Sequence, residues 1–257
     1  ELLSSLFDEI SILLYIREPM EAAISLLSTR IKTGNCPETK DLNLNDFSKT
    51  INNFKIIKNW ETVFLKENMK IKLFDRNELI EGDLIKDFSS ESNIDLSSQL
   101  IYPKKSNETL NLAQMRYLNY LNQYFPPFIN NKVNYKRKDL TKFIVERFKL
   151  SNFFLPTLEE FESFKEHFAE DNNYIRKEYF PEKKELWSKY KKGFAKNKNI
   201  INELSPREIK FLDAIKELWL YKNFALRKKF VLLNRMIDFY INIKVKYFVL
   251  YDFFVKK

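Results

Sequence analysis

The stretch ILLYIREPMEAAIS, residues 12–25, changes character at a single point. Up to Ile16 it is a short apolar run with β-branched and aromatic members, and Glu9–Ile16 as a whole reads as a buried strand. Pro19 follows where a first helical turn tolerates a residue without an N–H. Met20–Ile31 then reads as a helix with Ala22, Ala23, Leu26 and Leu27 inward. A strand that turns directly into a helix aims the helix's unpaired amides at the space beyond the strand's end, where an anion is favoured. Arg17, at the last strand position, adds a fork of donors suited to phosphate oxygens. Ser25 lies eight residues on, two turns into the helix, and offers a hydroxyl to the same ligand. The same residues allow a different arrangement, in which Arg17 pairs with Glu18, Glu21 or another carboxylate and Ser25 bonds back to the Glu21 carbonyl.

Outward from that corner the chain reads mostly as helix. Gly34–Asn45 is a loop. Phe47–Asn68 is a helix with Phe54, Ile57, Trp60, Phe64 and Leu65 on its apolar face. Lys70–Asp75 alternates polar and apolar, a second strand with Ile71 and Leu73 on one face. Asn77–Phe88 is a short helical segment, Ser89–Thr109 a polar loop, and Leu110–Tyr124 a helix ended by Pro126-Pro127. Lys138–Phe148 is amphipathic. Thr157 with Glu160, and Ser205 with Glu208, have the spacing of capping boxes, the second opening a helix from about 206 to 236.

The composition narrows the classes further. Three glycines in 257 residues, at 34, 82 and 193, leave no Gly-rich phosphate cradle. A single cysteine, Cys36, excludes an intrachain disulfide and suits a reducing compartment such as the cytoplasm. The start, ELLSSLFDEI, lacks the basic and small-residue pattern of a signal peptide and enters almost at once into a strand, so the chain is expected to be a fragment. Of the net charge of +9, the part from 181 to 257 carries 19 Lys and Arg against 8 Asp and Glu, while the rest is slightly acidic. The basic character belongs to the tail.

The block ILLYIREPMEAAIS resembles the 3′-phosphate-binding segment of the sulfotransferase family, in which a strand ends in Arg, a Pro follows two residues later and a Ser eight residues after the Arg. Later blocks are similar, in the same order, to the bacterial, polysaccharide-type branch. They are STRIKTG (28–34), INNFKIIKNWETVF before MKIKLFDRNELIEGDLIKDF (51–88), KKSNETLN (104–111) and LPTLEEFESFKEHFAEDNNYIRKEYFP (155–181). The resemblance implies an α/β, predominantly helical chain with a partial P-loop-like sulfotransferase fold, a short parallel sheet flanked by helices. This domain would span 1–181, followed by a basic, aromatic-rich helical extension over 182–257. It implies that Arg17 and Ser25 bind the 3′-phosphate of 3′-phosphoadenosine 5′-phosphosulfate (PAPS), the sulfuryl donor, and that no metal is needed. The expected reaction is in-line transfer to a hydroxyl of a carbohydrate or glycolipid acceptor. The family's 5′-phosphosulfate loop and its His or Glu base lie upstream of the Arg strand, so no catalytic residue is assigned and the fragment alone is expected to be inactive. For the Arg-Lys-Gly loop of the eukaryotic cytosolic branch, Lys104 and Lys105 are the nearest candidates.

Other residues invite weaker readings. His167, the sole histidine, reads as structural, because one His and one Cys make neither a zinc site nor a nucleophile pair. Asp83 and Asp87 read as a solvated face pairing with Lys86 and Arg76. The end of the chain, 222–257, interleaves Lys and Arg with Phe and Tyr, and its apolar runs fall short of the ~20 residues a membrane span requires. It could pack on the core, lie peripherally on an anionic membrane, or bind a polyanion. Nucleic acid is not expected, since no recognised motif is present. The alternative to an enzyme is therefore a non-catalytic helical module that binds a membrane surface or polyanion through this tail.

Overall fold

Two strands carry the sheet of the first half of the chain. In the computed structural model, which describes residues 2–34, 47–95, 108–149, 152–227 and 231–255, β1 (Ile12–Ile16) pairs in parallel with β2 (Met69–Leu73), in register from Ile12 opposite Met69 to Ile16 opposite Leu73. Parallel neighbours require a long crossover. Here it contains α2 (Pro19–Lys32) and α3 (Asn53–Phe64), after a short α1 (Leu2–Leu6). The chain is mostly helical, with this small parallel sheet as its α/β element.

The described residues form two compact units, each assembled from three segments. The first comprises residues 1–23, 43–108 and 157–194; the second comprises 24–42, 109–156 and 195–257. In the first unit, Ile16, Met69, Ile71 and Leu73 from the strands meet Ile57 of α3, Ile175 of α8 (Ala169–Tyr179) and Leu186 in one buried cluster. The alternation in β2 places Met69, Ile71 and Leu73 inward, while Lys70 is exposed. β1 is less buried than its apolar run predicts, because only Ile16 is fully covered. Helix α4 (Leu84–Ser92) is capped by Asp83, whose carboxylate accepts from the amides of Ile85 and Lys86. α7 (Leu158–His167) starts at the expected Thr157–Glu160 box.

The second unit is helical, with α5 (Leu112–Asn122), α6 (Leu140–Arg147), α9 (Pro206–Arg227) and α10 (Val231–Val255), and a two-stranded hairpin of β3 (Phe128–Ile129) and β4 (Lys132–Val133). Arg137 is buried and donates to the carbonyls of Phe125 (2.7 Å) and Lys32 (3.0 Å) and to Asn122 Oδ1 (2.6 Å), so the last carbonyl of α2 and the turn that follows α5 share one guanidinium. Gly34 follows α2 with φ +84, and a Cβ there would run into the Pro127 ring. The Ser205–Glu208 box opens α9 as expected.

Several expectations are corrected. The helix predicted over Phe47–Asn68 is divided, because Asn52 caps a new start by accepting from Lys55 N, and Leu65 leaves the helix at φ 66. Trp60 and Leu65, assigned to its inner face, are 41% and 57% exposed. Trp60 stacks on Phe64 instead, ring centroids 5.6 Å apart. Ser89–Ser92, read as loop, form the last turn of α4. Of the helix predicted from 206 to 236, Pro206–Arg227 form α9 and 231–236 belong to α10, while 228–230 lie outside the described residues. Asp87 is not on a solvated face. It is fully buried, accepting from the Tyr15 hydroxyl (2.7 Å) and Ile80 N (3.2 Å), with Lys72 Nζ 3.4 Å away. The predicted loop at 34–45 falls, beyond Gly34, outside the described residues, as do Lys104 and Lys105.

Candidate anion-binding site

The corner between β1 and α2 is built by backbone first. Phe74 N donates to the Ile16 carbonyl at 2.7 Å, and Asn53 Nδ2 to the Arg17 carbonyl at 2.8 Å. Asn53 itself is buried at the start of α3, so the backbone of Arg17 is fixed between β2 and α3. The guanidinium then projects beside the mouth of α2, 5.6 Å from the centroid of the Phe74 ring.

Two carboxylates meet it there. Glu18 turns back onto the helix and accepts from Met20 N at 3.1 Å and Glu21 N at 2.8 Å. Two of the amides that an external anion would use are thus satisfied by the chain itself. Burial pushes the Glu18 carboxyl above the ordinary range, against the lowering effect of those amide bonds. Glu21 lies one turn on. Its Oε2 accepts from Arg17 Nη2 at 3.1 Å and Nε at 3.4 Å, while its Oε1 lies 2.8 Å from Lys192 Nζ. Burial raises the Glu21 carboxyl, but the bond and charge of Lys192 and then Arg17 outweigh it, so the net shift is downward. The corner is a cation–carboxylate–cation bridge.

Of the four residues singled out in the sequence, Arg17 stands in this cluster, paired with Glu21. Ser25 is half-buried two turns along α2, its carbonyl accepting from the Thr29 hydroxyl at 3.0 Å. Lys192 was missed. The available signal was Lys191-Lys192-Gly193, a basic pair before a glycine, which adopts φ +79. His167, read as structural, is exposed at the end of α7, edge-on to Phe168 at 4.7 Å.

Beside the corner lies a cavity of about 480 Å³, with Glu18 and Pro19 on one wall and residues of α7, α8 and 184–194 on the others. That volume suits a nucleotide or a small saccharide. Aromatic rings from Trp187, Tyr190 and Phe194 line it, with Arg176 and Lys189 among its cations. Tyr190 and Phe194 stack at 5.4 Å. Trp187 Nε1 and the Tyr190 hydroxyl are buried and find no hydrogen-bond partner among the described residues. The Tyr190 hydroxyl is pushed up to about 12 by burial and then by the negative charges of Glu21 and Glu18.

Among the described residues no group of His, Cys, Asp and Glu is placed to hold a metal ion. No protein-family model, curated protein or solved structure matches the chain.

Proposed function

We propose that the chain carries the 3′-phosphate end of a sulfotransferase nucleotide site, in a P-loop-like sulfotransferase fold, and serves transfer of a sulfuryl group from PAPS to a hydroxyl of a carbohydrate or glycolipid. The observation that carries this reading is the convergence of Arg17 and Lys192 on one carboxylate at the end of a parallel strand. Glu21 sits between two cations where a phosphate would find the same donors, a fork from arginine and a point charge from lysine. The block Ile12–Ser25 supplies the resemblance, and Lys191-Lys192-Gly193 stands nearer to the family's Arg-Lys-Gly than Lys104-Lys105 does.

In this reading the chain's own residues bind and orient. Arg17 and Lys192 neutralise the phosphate, and Ser25 adds its hydroxyl. The neighbouring cavity, with its unpartnered Trp187 and Tyr190 donors, takes an uncharged ring or a sugar face. In the transfer the acceptor oxygen would bond to sulfur as the bond from sulfur to the 5′-phosphate oxygen breaks. Adenosine 3′,5′-bisphosphate leaves, and the hydroxyl proton passes to a base not assigned in this chain. Rate enhancement comes from positioning and charge neutralisation.

Isothermal titration with adenosine 3′,5′-bisphosphate tests the reading. Arg17→Ala removes charge-assisted bonds worth about 1.5–3 kcal/mol, so affinity should fall roughly ten- to a hundredfold. Affinity unchanged by Arg17→Ala would remove the site.

A further inference from the structure

Helix α10 has two apolar faces, and among the described residues only one of them is packed. Ile237, Ile241, Val245 and Phe248 recur at helical spacing and are buried, with Phe248 stacked on Phe211 of α9 at 4.1 Å. On the opposite arc Leu232, Met236, Phe239, Ile243 and Tyr247 follow one another at spacings of four and three. Leu232, Phe239 and Tyr247 are about seven-tenths exposed, at 73%, 68% and 73%. A solvent-facing stripe of that length along one helix is not the scattered exposure of ordinary surfaces.

The borders of the stripe are cationic. Arg235 and Lys246 run along one edge and Lys244 along the other, all exposed. Asp238 stands on the packed flank instead, 2.7 Å from Lys222 Nζ and 3.9 Å from Arg147 Nη2. The arc therefore presents apolar side chains between rows of positive charge and no acid among the described side chains.

We propose that α10 lies flat on an anionic bilayer surface, with Leu232, Met236, Phe239, Ile243 and Tyr247 in the boundary between headgroups and acyl chains. Arg235, Lys244 and Lys246 reach back to lipid phosphates. The chemistry of the arc selects this occupant. A second copy laid antiparallel on the stripe would set Arg235 opposite the lysines, like charge against like, with no carboxylate to intervene. A single-stranded nucleic acid would use the Phe and Tyr rings for stacking but gains nothing from Leu232, Met236 and Ile243. A bilayer uses both halves of the pattern, burying the apolar stripe and pairing the flanking cations. Among the described residues no helix is long and apolar enough to cross a membrane, so the contact is parallel to the surface. The helix spans about 37 Å at 1.5 Å per residue.

Co-sedimentation of the full chain with vesicles of phosphatidylcholine, with and without phosphatidylglycerol, tests this. The chain should partition onto the anionic vesicles, weakly onto the neutral ones, and less as salt rises. Replacing Arg235, Lys244 and Lys246 together by alanine should weaken partitioning roughly a hundredfold. The double change Met236→Ser and Phe239→Ser should weaken it at least tenfold. All five positions are exposed, and unchanged circular dichroism and melting would confirm that the variants fold. Arg17→Ala should leave vesicle binding untouched, which separates this outcome from that of the nucleotide site. The proposal is overturned by absence of binding to anionic vesicles, or by binding that the serine variant retains. A Phe239-dependent dimer in sedimentation without lipid, or preferential capture of oligothymidylate over vesicles, overturns it as well.

Discussion

Replacing Glu21 by glutamine separates a binding corner from a merely structural one, because the two readings predict opposite signs. Glu21 contacts Arg17 through Nη2 at 3.1 Å and Nε at 3.4 Å, and Lys192 at 2.8 Å. The side chains of Arg17 and Lys192 are 28% and 56% exposed and that of Glu21 is 26% exposed, so each pair is partly screened and contributes at most about 1 kcal/mol. An incoming phosphate must first give up both pairs, a cost on the order of 1–2 kcal/mol. It must also approach the carboxylate's own negative charge. Glutamine has the same shape, removes that charge and loosens both cations. Affinity for adenosine 3′,5′-bisphosphate in Glu21→Gln should therefore rise about five- to thirtyfold. Isothermal titration at low and moderate salt reads it directly, and the gain should shrink at higher salt. A corner that only braces the fold would show no gain, only a small loss in melting temperature. Affinity equal to or weaker than that of the unmodified chain, in a folded Glu21→Gln protein, would refute the argument.

Asp87→Ala should be the more damaging change for the fold, since it strands the Tyr15 hydroxyl, Ile80 N and one contact of Lys72 around a fully buried position. The cost is about 3 kcal/mol, and hydrogen exchange in β1 and β2 should quicken roughly a hundredfold, while exchange unaltered there would deny the network its role. Asp75 makes a pH prediction. The Ser188 hydroxyl and Asn77 amide hold its carboxyl below the ordinary 3.8. A depressed folded-state value favours the folded chain above 3.8, and that contribution disappears as pH falls through the depressed value. Asp75→Asn should flatten the acid side of the stability profile followed by urea midpoints, and a profile of unchanged slope would contradict the assignment.

Features confined to a few consecutive residues were legible in the sequence. Both capping boxes need nothing beyond their own spacing and stand in the structure as read. The strand-to-helix corner stands with a shorter strand, Ile12–Ile16 in place of Glu9–Ile16, and with Arg17 one residue past it in the arrangement paired with Glu21. Periodicity went wrong where the covered arc is narrower than the pattern. Among the described side chains of α3, Ile57 alone of its large apolar residues is fully buried, so Trp60 falls outside the contact although it lies on the same apolar arc. Asp87 was misread because its partners are supplied from elsewhere. The Tyr15 hydroxyl is 72 positions away, and an acidic pair on a helix looks solvated until a strand is laid beside it. Lys192 was overlooked for the same reason.

The charge of the corner illustrates the limit more sharply. Arg17 and Lys192 against Glu18 and Glu21 sum to nothing, so no count of residues reveals a preference for anions. What distinguishes the two carboxylates is how each is held. Glu18 accepts two backbone amides and caps α2, so displacing it would leave helix donors unsatisfied. Among the described residues the Glu21 carboxylate is held by side chains that are themselves partly exposed, and a rotamer change removes it from between the cations without disturbing the helix. The corner therefore has one fixed and one removable negative charge. With Glu21 rotated away, Arg17 and Lys192 remain as a pair of donors beside a capped helix. If the corner takes a phosphate as proposed, its geometry then depends on the backbone bond from Asn53, which holds Arg17 just past the end of its strand.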